Sequence, residues 1–204
     1  MPQPRLTTCQ GAEITPYLEG LADLRIRVFR DYPYLYDGDP AYEAEYLKRY
    51  AENPRSLFVL ALDGERLVGA STAQPLSDEV EEFRAPFEAQ GYRVADVFYY
   101  GESVLLPEYR GHGLGHAFMD AREQHAEAAG YAWVAFCAVE RPADHPLKPA
   151  DYRPLHDFWQ GRGYQRHPEL ATSFAWKDVG HTEETDKPMV FWLNRIDNIR
   201  EASA

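Results

Sequence analysis

The segment Arg110-Gly111-His112-Gly113-Leu114-Gly115 sets glycines at every second position. An apolar run, Val104-Leu105-Leu106, ends just before it at Pro107, and a helical pattern starts behind it. Without Cβ atoms, the backbone N–H groups of such a turn can close around a ligand that side chains would block. The helix beginning there adds the positive end of its dipole, so the turn suits an anion, above all a phosphate. One carboxylate stands near it in the chain. Glu102 is the only acid in the apolar and aromatic run Val97–Leu106. Partial desolvation makes a carboxylate a stronger base, and a positioned base accelerates proton abstraction by about 10²–10⁴-fold.

Several phosphate turns compete for this pattern. A P-loop needs Lys and then Ser or Thr after its last glycine, but His116 and Ala117 stand there. A dinucleotide turn is G-x-G-x-x-G directly after a strand. Here the spacing is G-x-G-x-G, and Pro107 to Arg110 intervene. Glu140 alone favours a dinucleotide, standing where a ribose-binding acid would. A glycine turn without any ligand is the plain alternative. No metal is expected: His112 and His116 are four apart and His125 follows, but no carboxylate or Cys spacing completes a ligand set.

The elements that must hold these groups follow from periodicity. Arg5–Gln10 reads as a first strand. Tyr17, Leu18, Leu21, Leu24, Val28 and Phe29 share one face of a helix. A loop rich in Tyr and Asp spans 31–39, and Pro40 opens a second helix through Tyr42, Tyr46, Leu47 and Tyr50. Ser56–Leu62 and Arg66–Thr72 form a hairpin around Asp63-Gly64. Residues 75–95 interrupt the strands. There Leu76, Val80, Phe83 and Phe87 make a helical face, with Asp78, Glu79, Glu81, Glu82 and Glu88 on the solvated side. Val97–Leu106 is the next strand, Gly113–Ala129 the helix behind the glycine turn, and Tyr131–Val139 a strand covered on both faces. A proline-rich loop, Arg141–Pro154, leads to a short helix, Leu155–Arg162. Glu169–Lys177 and Met189–Arg195 read as a last hairpin.

Composition narrows the classes further. With 204 residues the chain suits one domain, and 45% hydrophobic content supports a core. The net charge of −12, with no basic stripe, argues against a nucleic-acid partner and is compatible with a cationic acceptor. No apolar run approaches a membrane span. Met1-Pro2-Gln3-Pro4 leads into no apolar leader segment, and Cys9 and Cys137 make no disulfide framework. A reducing, cytoplasmic setting is expected, with Cys137 a small buried hydrophobe.

Arg110 to Gly115 also fits the acyl-CoA pattern [RQ]-x-x-G-x-[GA] in full. With the strand–turn–helix–strand order around it, the chain resembles the GNAT N-acetyltransferase superfamily over essentially its whole length. The resemblance implies one α/β domain, 1–204. Its central mixed, mostly antiparallel sheet would be flanked by helices, with a helical insertion at roughly 75–95 before the fourth strand. It implies an enzyme that transfers acetyl directly from acetyl-CoA, its co-substrate, to a primary amine of a small molecule or protein. The pyrophosphate would rest on Arg110, Gly111, His112, Gly113, Leu114 and Gly115. The strand before the turn would bulge and splay from its neighbour, so that the pantetheine arm pairs with Val104, Leu105 and Leu106. The N–H near Leu105 would face the thioester oxygen. Glu102 would be the catalytic base, with Tyr100 on the same strand face.

The resemblance has a departure. In the family a Tyr on the helix after the fifth strand often protonates the leaving thiolate; here Phe158-Trp159-Gln160 puts Trp159 there, and Tyr152 replaces a frequent Asn. Tyr152, Tyr164, His156 or solvent would have to substitute, or Trp159 simply packs. The family's acceptor side would comprise the 31–39 loop with Asp37 and Asp39, Phe98 and Tyr100, Phe191–Asn194, and the insertion as a cap. His145 and His156 flank the proline-rich loop and would line that cleft, or stand as exposed surface histidines. A non-catalytic acyl-CoA-binding module and a dinucleotide-dependent oxidoreductase are the alternatives, and a homodimer is compatible with the resemblance.

Overall fold

Residues 4–203 are described by a computed structural model. Met1–Gln3, part of the segment where no leader is expected, lie outside them. The chain runs β1 (Arg5–Gln10), α1 (Leu18–Phe29), α2 (Pro40–Glu52), β2 (Leu57–Asp63), β3 (Arg66–Pro75), α3 (Glu81–Ala89), β4 (Val97–Leu105), α4 (Leu114–Ala128), β5 (Trp133–Val139), α5 (His156–Gly161), β6 (Gln165–Lys177), β7 (Glu184–Arg195) and α6 (Ile196–Ser203). The strands form one sheet in the order β1-β2-β3-β4-β5-β7-β6. Every neighbouring pair is antiparallel except β4 and β5. A parallel pair needs a long crossover, and α4 supplies it.

The side-chain period of two along each strand sorts the core into two layers. On one face Thr72, Gln74, Tyr99, Cys137 and Phe191 lie beneath α1, α2 and α3. On the other Phe98, Tyr100, Val134, Phe136 and Trp192 lie beneath α4 and α5. Val134, Ala135 and Phe136 of β5 are all buried, as expected of a strand covered on both sides. Burial pushes the Cys137 thiol up to about 12, so it acts as a small hydrophobe. No helix among the described residues is long and apolar enough to cross a membrane.

The last hairpin begins earlier than its apolar pattern. β6 starts at Gln165, and its register slips between His167 and Ala171, where Pro168 interrupts the ladder. β7 starts at Glu184, but β5 pairs only with Met189–Arg195. The two-stranded end beyond β5 carries polar residues because much of it meets water. In the insertion, α3 is shorter than the apolar spacing suggests: Leu76 sits in a separate 3-10 turn, Leu76–Asp78. The closing helix α6 has no counterpart in the sequence reading.

Candidate active site

β3 and β4 do not stay in step. Ser71 faces Ser103, but Ala73 faces Tyr100, so β4 carries one extra residue at Gly101-Glu102. A bulge breaks the alternation of side chains. Tyr100 therefore points under α4, where the Arg122 guanidinium lies 4.2 Å from its ring centroid. Glu102 points the other way, pairing with Arg25 of α1 at 2.7 Å and accepting from the Tyr46 hydroxyl of α2 at 3.0 Å. The expectation that Tyr100 and Glu102 share a face is thus corrected. Arg122 closes the bulge from the α4 side. It donates to the carbonyls of Thr72 at 3.4 Å and Glu102 at 3.3 Å, and to Ser103 Oγ at 2.9 Å.

On its other edge β4 leaves β5. The parallel ladder ends at Tyr99 opposite Ala135, although both strands run on, to Leu105 and Val139. Leu106 N–H donates to Val68 on β3 at 3.0 Å. By the alternation of an antiparallel ladder, Leu105 N–H then turns toward the gap. This gap leads to the glycine turn. Gly111 and Gly113 take φ of 78° and 83°, and a Cβ on either would meet no atom within 4 Å. Gly113 is the N-cap of α4, and no side chain among the described residues caps it. Gly115 is different: it lies in the first helical turn, 3.8 Å from Phe158 by its would-be Cβ. Leu114 is buried as the first core residue of α4, and Arg110 and His112 are exposed. Arg110 Nε bonds the Leu105 carbonyl at 3.1 Å, tying the turn to the strand. The result is an open cradle of backbone donors at a helix N-terminus, suited to phosphate oxygens.

Glu102 is a carboxylate that already has partners from α1 and α2. Its side chain is only 3% exposed and pairs with Arg25, which also pairs with buried Glu43. A second acid, Glu79, sits nearer the open cleft. Tyr50 donates its hydroxyl to Glu79 at 2.5 Å, and a Cβ on Gly101 would lie 2.6 Å from that hydroxyl. Glu79 is thus one hydroxyl away from the bulge. Burial raises its carboxyl above the ordinary carboxylate value, against the hydrogen bonds from Tyr50 and Gln74. Helical periodicity alone puts Glu79 on a solvated face, because its tyrosine partner is distant in the chain.

The remaining candidates separate clearly. Trp159 packs on Phe136 and Trp192, with ring centroids 4.9 and 5.1 Å away, so it is a packing residue of α5. Tyr164 is 1% exposed and bonds Glu123 at 2.9 Å. Tyr152 meets the Tyr32 ring edge to face, and His145 lies against the same ring, so the proline-rich loop covers the 31–39 loop. Arg141 pins both by donating to the Pro33 and Tyr34 carbonyls while pairing with Asp178. Exposed His156 lies over Trp192. His116 is held by Arg162 and Phe158. Asp39 caps α2 through Tyr42 N–H, and Asp37 pairs with Arg30 and Lys177. Phe98 packs under His125 and Tyr131, so it and Tyr100 belong to the α4 side; Tyr99 is the residue facing the opposite cleft.

The model of the acetyltransferase (GNAT) family matches residues 21–148, more than half of the 204. The chain belongs to the GNAT family. The fold similarity extends beyond the matched residues. Arabidopsis thaliana NAA60, solved in complex with acetyl-CoA, is 14% identical, with a TM-score of 0.62 over 95% of this GNAT chain and 99% of that one. An N-acetyltransferase from Staphylococcus aureus is 8% identical, with a TM-score of 0.60 over 94% and 99%. The ribosomal-protein-alanine N-acetyltransferase of Brucella melitensis is 11% identical, with a TM-score of 0.59 over 93% and 99%. No curated protein matches this GNAT chain by sequence.

Proposed function

We propose that this GNAT chain is an acetyl-CoA-dependent N-acetyltransferase that acetylates a primary amine. The observation carrying this reading is the gap between β4 and β5, which opens onto the uncapped start of α4. Acyl transfer needs a positioned thioester, a stabilised carbonyl oxygen and an amine freed of its proton. The N–H groups of the turn, from Gly111 to Gly115, hold the pyrophosphate, and Arg110 stands beside them. Open space at the Cβ positions of Gly111 and Gly113 fits this role. Hydrogen bonds to charged groups contribute about 1.5–3 kcal/mol each, and a few suffice for micromolar binding at about −8 kcal/mol. The pantetheine arm lies along Val104, Leu105 and Leu106, and Leu105 N–H faces the thioester oxygen. The net charge of −12 suits a cationic acceptor. Two unpaired cysteines suit a reducing, cytoplasmic compartment.

The reading is tested by titrating the protein with acetyl-CoA and NAD in parallel, then following CoA release with a panel of primary amines. Micromolar acetyl-CoA binding and amine-dependent CoA release are expected. Acetyl-CoA binding without release for any amine leaves only the binding-module reading. A response to NAD alone removes the family's donor from this site.

A further inference from the structure

On the face opposite the glycine turn, a cleft of about 160 Å³ is lined by Tyr46, Tyr50, Glu79, Phe83 and Phe174, among others. Its volume equals roughly five water molecules at ~30 Å³ each, enough for the tip of an amine. The insertion builds one wall. α3 is fastened to β6 by Thr172 Oγ1 donating to the Glu82 carbonyl at 2.8 Å, and Phe83 stacks on Phe174 with centroids 5.5 Å apart. Tyr46 and Tyr50 of α2, with centroids 5.3 Å apart, build the other.

The charges of this cleft are unequal. Asp78 is already paired with Arg55 and accepts from Asn53. Glu102 is paired with Arg25 behind the tyrosines. Arg49 lies over the Tyr46 ring, 5.6 Å from its centroid. Glu79 accepts from neutral Tyr50, and no Lys or Arg among the described residues forms an ion pair with it. Arg49 lines the same cleft and is the cation that acts on Glu79, but it does not close an ion pair. A carboxylate among aromatic rings with no ion-pair partner is complementary to an ammonium group.

We propose that this cleft binds the ammonium group of a primary amine carried on an apolar or aromatic stem, and that Glu79 is the catalytic base that deprotonates it. This rests on the acetyltransferase reading above. Glu79 takes one of the three ammonium protons. The freed lone pair forms the C–N bond at the thioester carbonyl, and the C–S bond breaks with its electron pair on sulfur. A second nitrogen proton then leaves to neutralise the thiolate. Glu102 acts through Tyr46 and Arg25 as a positioning residue. Burial, which raises the proton affinity of Glu79, brings it nearer the range useful to a base.

The test uses phenethylamine and its neutral alcohol analogue as probes, titrated calorimetrically into the full chain. The wild type should prefer the amine, and Glu79→Gln should lose that preference while keeping acetyl-CoA affinity, which also reports that the variant is folded. In turnover, Glu79→Gln should lose about 10²-fold or more in kcat/KM. The acid limb of the wild-type pH profile should disappear with it. A wild type indifferent to the charge of the probe, or a Glu79→Gln variant with the wild-type preference or pH profile, overturns the proposal. Failure of the wild type to bind acetyl-CoA instead defeats the donor assignment; the amine titration still decides the cleft.

Discussion

Tyr100 and Glu102 lie two residues apart on β4 and face opposite sides of the sheet. The extra residue at Gly101 causes this, and it divides the chemistry. Tyr100 joins Arg122 and Tyr164 beneath the donor-side helix, while Glu102 joins Arg25 and Tyr46 on the cleft side. Gly101 has no spare room: a Cβ there would lie 2.6 Å from both Thr72 Oγ1 and the Tyr50 hydroxyl.

Arg122 holds the bulge by bonding the Thr72 and Glu102 carbonyls. Arg122→Met keeps much of the volume but removes these donors. A buried polar group left unpaired costs about 1–3 kcal/mol, so urea unfolding should show a loss of about 2–6 kcal/mol for the pair. A loss within ±0.5 kcal/mol, as at an indifferent surface position, would mean the bulge holds itself.

Gly113→Glu tests the cradle. At φ 83° any side chain is strained, by roughly 1–2 kcal/mol, and a carboxylate there occupies and repels the phosphate position. With acetyl-CoA at about 100 times its Kd, the wild type should gain about 2.7 kcal/mol. At about 2–4 °C per kcal/mol for a chain of this size, that is roughly 5–10 °C in Tm. The variant should show no shift; an unchanged shift locates the pyrophosphate elsewhere.

Glu79 should leave a signature in stability against pH. Its folded pKa is raised, chiefly by burial. The folded chain therefore keeps a proton that the unfolded chain releases near pH ~4.3. The corresponding stability is full below that value and is lost as pH rises through the folded pKa. Subtracting the Glu79→Gln curve from the wild-type curve should isolate a component that declines with rising pH. A difference that rises with pH contradicts the assignment.

Arg25 serves two buried carboxylates, Glu43 and Glu102. Arg25→Met leaves both unpaired, and breaking a buried pair costs about 3–5 kcal/mol. Glu102→Gln retains hydrogen-bonding atoms and should cost less, with acetyl-CoA affinity preserved. Chemical denaturation of both variants checks the order; the reverse order would show that Glu102, not Arg25, holds the cluster.

The sequence by itself determined most of the elements and the glycine turn. Helical and strand periods are local, as at Leu18–Phe29 and Trp133–Val139, and the alternating glycines at Gly111, Gly113 and Gly115 announce a backbone cradle wherever they fold. Only the tertiary structure decided where the acids lie and what they meet. A bulge is a property of two paired strands, so nothing within Tyr100-Gly101-Glu102 reveals that β3 is one residue short against it. The partners that fix the roles of the acids are also distant: Glu102 meets Arg25 from α1, and Glu79 meets Tyr50, 29 residues away, across a cleft that exists only once α3 docks on β6. Burial and pairing set the charge of a carboxylate, and both depend on what the fold brings beside it.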